Sequence, residues 1–203
     1  MDRREEIKII NHLYKDILGF SDSEKLDILL QESMVKTYKK GEVIIYQDEI
    51  EDKAYFIYEG IYRLVRYERN KELTMCFAFN PGDVLLSSAN SINGSNKCLG
   101  DFELIGKENG ILVVIGLNRF VTLYGNDPEF FRYINRQLTD SSSMHMELSH
   151  IRTLPQVERV EWFHRKYPSL ENVLTNKIIS SFLNIDQRKY GQLKKEFEKT
   201  AVK

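Results

Sequence analysis

TNKIISSFLNIDQRKYGQLKKEF, residues 175–197, is the stretch on which the reading of the whole chain turns. Ile178, Ile179, Phe182 and Leu183 recur at the spacing that lines one side of a helix. The run breaks at Asn184, a residue that tolerates the left-handed conformation in which helices end. Ile185 follows as a buried plug, and Asp186 has the short acceptor side chain that caps a new helix. That second helix carries Tyr190, Leu193 and Phe197 inward. Its other side holds Gln187, Arg188, Lys189, Gln192, Lys194 and Lys195, long hydrogen-bond donors with no acid among them before Glu196. Two short helices with a three-to-four-residue turn, the second one cationic outward, form the pattern of a helix-turn-helix whose second helix enters a DNA major groove. A plain helical hairpin with a solvated face would produce the same pattern.

The remainder of the sequence narrows the choice. A chain of 203 residues suffices for two modest domains. Its 42% hydrophobic and 29% charged residues are ordinary for a soluble globular protein and argue against disorder. Apolar runs such as Ile111 to Ile115 are far too short for a membrane helix, and the opening MDRREEIKII lacks an apolar signal core, so a cytoplasmic protein with no membrane partner is expected. Cys76 and Cys98 are too few and too far apart for a metal knuckle or a disulfide framework, and read as small buried apolar residues. The histidines, His12, His145, His150 and His164, are scattered. No cofactor or metal is therefore expected, and no nucleophile, base and orienting group come together as an enzyme would need. Charge is unevenly placed: residues 152–203 hold eleven Lys or Arg against six Asp or Glu, whereas residues 1–151 hold eighteen against twenty-four. A basic C-terminal module beside an acidic body is what results when only one of them meets phosphates.

Taken in order, residues 1–20 read as one amphipathic helix with Ile7, Ile10, Leu13, Tyr14, Ile17 and Leu18 on a stripe, closed by Gly19. A second helix starts at Ser21 or Ser23 and ends near Ser33. From Val35 to Leu117 the pattern becomes that of antiparallel strands, with turn signals at Lys40-Gly41, Glu59-Gly60, Arg69-Asn70 and Pro81-Gly82. Tyr38, Val43, Ile45, Tyr55, Ile57, Tyr62, Leu64, Met75, Phe77 and Phe79 are its candidate inward residues. Asp127-Pro128 then caps and opens a long helix, in which Phe131, Ile134, Leu138, His145, Leu148 and Ile151 approximate a seven-residue repeat. A helix of about 24 residues spans about 36 Å, more than a small domain buries alone, so a partner helix is implied, the alternative being a single long helix packed on its own β-roll. A further short helix, 156–167, carries Val160, Phe163 and Tyr167 inward and stops at Pro168.

The succession Lys39-Lys40-Gly41-Glu42, Tyr55-Phe56-Ile57-Tyr58-Glu59-Gly60, a long hairpin and Pro81-Gly82-Asp83 resembles the β-roll of cyclic-nucleotide-binding domains over about residues 34–120. Together with the later helix-turn-helix, and with Arg159, Phe163 and Tyr167-Pro168 followed by Ile179-Ser180-Ser181-Phe182-Leu183-Asn184-Ile185, the chain resembles a transcription regulator of the cyclic-AMP receptor protein (Crp/Fnr) family. That resemblance implies an α+β fold: a jelly-roll-like effector domain with N-terminal helices over residues 1–127, a dimerisation helix over 128–152, and a DNA-binding domain over 153–203. It also implies a homodimer joined through Phe131, Ile134, Leu138, His145 and Leu148, a small-molecule effector in the roll, and double-stranded DNA as partner.

Three departures from the family pattern shape the expectations. The segment after Asp83 has no arginine to hold a cyclic phosphate, and its one cation is Lys97, so cyclic AMP is not the expected effector. Asp83, Ser87, Ser88, Asn90 and Lys97 remain as candidates for a different, unidentified ligand, or as a solvated loop. In the reading helix, Gly191-Gln192 replaces the family's serine and arginine, so operator preference does not carry over. A full wing hairpin after that helix is not expected. The competing reading is a ligand-binding or protein-interaction module whose helix-turn-helix has degenerated.

Overall fold

The computed structural model of the chain describes residues 1–69, 71–87, 97–106 and 108–201, with the backbone alone for 198–201. Ser88 and Asn90 lie outside the described residues. Helix α1 (Arg3–Asn11) opens on a capping box between Asp2 and Glu5 and runs directly into a π-helical segment, His12–Ile17. The expected single helix is thus widened in its second half, which turns Leu13 and Tyr14 fully inward. Helix α2 (Ser23–Glu32) is capped by Asp22, which takes the N–H groups of Glu24 and Lys25, rather than by either neighbouring serine.

Seven strands follow: β1 (Met34–Tyr38), β2 (Val43–Ile45), β3 (Lys53–Glu59), β4 (Tyr62–Glu68), β5 (Lys71–Ala78), β6 (Asp101–Leu104) and β7 (Gly110–Gly116). They form two antiparallel sheets, ordered β1-β7-β3 and β2-β6-β4-β5. Ile45, Tyr55, Ile57, Tyr62, Leu64, Phe102, Leu104, Leu112 and Val114 fill the space between them. This is the antiparallel roll that the alternation predicts. Both cysteines belong to this interior, and burial pushes the Cys98 thiol up to about 12 and that of Cys76 to about 11, so neither is poised as a thiolate.

The outer face of the three-stranded sheet is covered as well. Ala54, Phe56, Val113 and Ile115 pack under α1, the π-helical segment, α2, α3 (Leu117–Tyr124) and the start of α4 (Pro128–Ile151). Gly82 sits in this seam with φ +89, and a Cβ there would come within 2.8 Å of the Ile17 side chain. Asp127 caps α4 and Pro128 takes its first position, as the sequence predicts.

The C-terminal region comprises α5 (Gln156–Lys166), α6 (Pro168–Glu171), α7 (Asn176–Leu183) and α8 (Gln187–Ala201). Pro168 does more than stop α5, because it starts α6. Phe77 and Phe79 leave the roll's interior and join the core of these helices. Pairing explains the inversion: Tyr62 faces Ala78 and Leu64 faces Cys76 on the inner side, so Phe77, opposite Arg63, must point outward. Both sides of this hairpin are buried, and apolarity alone could not say which was which.

Candidate nucleic-acid interface

Thr175 caps α7 by accepting from the N–H of Ile178, and Asn184 ends the helix at φ 52, ψ 54, the left-handed conformation expected of it. Ile185 is 7% exposed, and Asp186 takes the N–H groups of Arg188 and Lys189 at 2.9 and 3.1 Å. Tyr190 and Leu193 are buried beneath α8, which rests on α5 and α7. The turn, the caps and the inward residues all follow the sequence reading.

The base of α7 is held by two arginines, Arg159 of the resemblance motif and Arg152, which the sequence offered only as basic charge. Arg152 donates to the carbonyls of Phe182 and of Thr74, each at 2.9 Å, and Arg159 donates to those of Leu183 and Asn184 at 3.3 and 3.2 Å. The carbonyls of Phe182, Leu183 and Asn184 are those a helix leaves without intrahelical partners, at the negative end of its dipole. Burial, and then the charge of Arg159, lowers the pKa of Arg152. A guanidinium stays charged through such a shift.

α7 is also fastened to the roll. Ser181 Oγ accepts from the Thr74 N–H at 2.8 Å and donates to the Glu72 carbonyl at 3.0 Å. Lys177 meets the Glu72 carboxylate at 2.5 Å. Beneath it Arg63, with 5% of its side chain exposed, pairs with Glu72 at 2.5 Å and Glu103 at 2.6 Å and donates to Thr74. Burial pushes Glu72 up, but Lys177 and Arg63 outweigh it and hold the carboxyl below its ordinary range. Sequence reasoning missed this network, since Arg63, Glu72 and Glu103 alternate with inward residues and so looked solvent-facing.

Of the expected DNA-facing residues, Gln187, Arg188, Lys189, Gln192 and Lys195 are exposed together on the side of α8 away from its core. Lys194 is not with them. It is half-buried and pairs with Glu171 at 3.2 Å, and Glu171 also binds His164 Nδ1, whose ring stacks on Phe197 with centroids 4.4 Å apart. Lys166 is likewise engaged, by Glu147 at 2.8 Å. Much of the basic surplus is therefore spent inside the fold, and the outward cations concentrate at the start of α8. Gly191 is not demanded by packing: a Cβ there would find only Asn176 Nδ2, at 3.9 Å. Gly191→Ala is therefore expected to raise stability by about 1 kcal/mol, read as a higher denaturation midpoint.

The effector candidates do not form one site among the described residues. Asp83 faces α4, holding the Asn80 side chain at 3.0 Å and accepting from Gln137 at 3.3 Å. Ser87 is buried, with its N–H on Glu51 at 3.0 Å and its hydroxyl accepting from the Leu99 N–H at 3.1 Å. A side-chain carboxylate thus already takes a backbone donor that an anionic ligand would need. Lys97 is exposed. On α4, Phe131 is 51% exposed, Ile134 and Leu138 are half-buried and His145 is exposed, but Leu148 is 2% exposed, packed within its own chain against the core of α5 and α7. Leu148 is therefore unavailable to a partner helix, because α4 is already covered there by the C-terminal helices.

No protein-family model and no curated protein matches the sequence. Solved structures do. FixK2 from Bradyrhizobium japonicum superposes with a TM-score of 0.70 at 15% identity, over 84% of this chain and 86% of that one. The c-di-GMP-responsive global regulator CLP from Xanthomonas campestris gives 0.70 at 13% identity, over 89% and 93%. A protein from Eubacterium rectale described as a transcriptional regulator of the Crp/Fnr family gives 0.71 at 18%, over 92% and 86%. The chain, a roll followed by a long connecting helix and a capped helix-turn-helix, thus shares the fold of these solved structures, the Crp/Fnr fold.

Proposed function

We propose that the protein is a transcription regulator that binds double-stranded DNA as a homodimer, with α8 as its reading helix. The observation that carries this reading is the exposed row of Gln187, Arg188, Lys189, Gln192 and Lys195 on a helix whose other side is fixed from beneath. Arg188, Lys189 and Lys195 supply phosphate contacts and hence affinity, while Gln187 and Gln192 reach base edges, where glutamine favours adenine. Phe131, Ile134 and Leu138, with His145 at the end of the strip, form the dimer face of α4 without Leu148. Residues 1–127, 128–152 and 153–203 serve as effector, dimer and DNA-binding parts in this reading. If the two-fold holds, the two reading helices meet successive major grooves about 34 Å apart. A ligand or partner at the roll would act by shifting α4 between two arrangements and so altering that spacing. The reading includes no enzymatic step and places the protein in the cytoplasm; no described helix is long and apolar enough to cross a membrane.

A salt titration of binding to random-sequence duplex DNA tests the proposal. Affinity should fall steeply with salt, and Arg188→Ala with Lys189→Ala should reduce the log–log slope by about 4 on every sequence, two phosphate contacts being lost from each subunit of the dimer. Absence of any binding at about 50 mM salt would favour the interaction-module reading instead.

A further inference from the structure

A cleft of about 340 Å³ separates the N-terminal helices from the first half of α4, lined by Leu18, Gly19, Glu129, Arg132, Tyr133 and Arg136. Its volume falls within the range of small-molecule sites. Arg132 and Arg136 stand one helical turn apart on the same wall, an arrangement of like charges that costs helix stability unless something answers it. Among the described residues no ion pair answers it. Glu129, the acid nearest in the cleft, spends both oxygens on Ser21, at 3.1 Å to its N–H and 2.8 Å to its hydroxyl. Among the described residues, neither arginine has an ion pair or hydrogen-bonded partner. Gly19 faces the space at φ +76 with no atom within 4 Å of where a Cβ would stand, so backbone as well as side chain is open to an occupant. Leu18 and the ring of Tyr133 supply an apolar wall, the Tyr133 hydroxyl being committed to the Gly82 carbonyl at 3.0 Å.

We propose that this cleft binds a small phosphomonoester, its dianionic head held by the Arg132 and Arg136 guanidinium groups and its organic body against Leu18 and Tyr133. Two guanidinium forks match the charge and the several acceptor oxygens of a phosphomonoester better than those of a single carboxylate. The site is independent of the roll's interior and of the dimer face: at 3.6 residues per turn both arginines lie about 100–160° round the helix axis from Phe131, Ile134 and Leu138. A second subunit on that strip leaves the cleft open. An occupant would tie the segment at Leu18 and Gly19 to α4, the same part of α4 that reaches the roll through Tyr133 and Gln137.

Calorimetric titration of the full chain with glucose 6-phosphate, glycerol phosphate and adenosine monophosphate tests it, with sulfate and glucose as controls. At least one phosphomonoester should bind in a one-to-one ratio, with sulfate and glucose about ten-fold weaker or more. Arg132→Gln with Arg136→Gln should weaken it about ten-fold or more without lowering the ligand-free melting midpoint, since both side chains are exposed and the change relieves their mutual repulsion. No heat from any of the three at several millimolar, equal binding by the double variant, or sulfate binding as well as the esters would each overturn the proposal. The same variant should keep the salt slope for duplex DNA unchanged. A flattened slope would assign the arginines to the DNA footprint instead, and loss of DNA binding by the Arg188 and Lys189 variant bears on the other proposal alone.

Discussion

Phe182→Ala should lower the stability of the protein by about 3–5 kcal/mol, the range for deleting a fully buried aromatic ring. Phe182 has no exposed surface, and its ring stands 4.5 Å from that of Phe77 on the roll and within about 6 Å of Trp162, Phe163 and Tyr167, centroid to centroid. The cavity would open where the roll meets the C-terminal helices. For a protein of this size each kcal/mol shifts the midpoint by about 2–4 °C, so a fall of roughly 6–20 °C is expected in a thermal melt. Phe182→Leu, which keeps most of the volume, should cost less than about 1.5 kcal/mol. A loss below 1 kcal/mol for the alanine variant, on the order of a surface change, would mean that the ring is not part of a shared core.

Arg63→Met is expected to cost about 3–5 kcal/mol at neutral pH, because it removes one partner of a buried ion cluster and leaves Glu72 and Glu103 facing each other across the sheet. Lys177 still answers Glu72, which places the loss toward the lower end. The pH dependence gives a second readout. In the parent protein Glu72 titrates below its ordinary range, so the stability it contributes is present above the unfolded value, about 4.3, and is lost as the pH falls through the lower folded one. Without Arg63 that depression shrinks, and the stability gap between parent and variant should narrow from about pH 5 downward, through the unfolded value and toward the lower folded one, in urea melts. A gap that stays constant across this range would show that the charge of Arg63 is not what holds the cluster.

Much of the chain was legible residue by residue, wherever the deciding chemistry is local. Asn184 ends α7 in the left-handed conformation, Asp186 and Asp127 cap the following helices, and Pro128 opens α4 because each of those outcomes depends on a few neighbouring backbone groups. Misreadings occurred where two short-range answers were equally good. Asp22 stands between two serines that would cap as well, and the π-helical widening after Asn11 leaves no periodic signal in so short a segment. The candidate interface shows the same division. Its donors at Gln187, Arg188, Lys189, Gln192 and Lys195 were readable from helical spacing, but the engagement of Lys194 by Glu171, more than twenty residues earlier, was not.

Sequence alone determined the order of elements, the two-helix motif with its caps, and the apolar alternation that makes a roll, since all three rest on periodicities of two and 3.6 residues and on backbone chemistry within a turn. Tertiary structure decided which side of the β4–β5 hairpin faces outward, that α7 is fastened to β5 at Glu72 and Thr74, and that Leu148 is withdrawn from the outer strip of α4. Those outcomes depend on groups brought together from about 100 residues apart, such as Ser181 on Thr74. A hydrophobic or charged residue records that it needs a partner, and only the packed chain records which one.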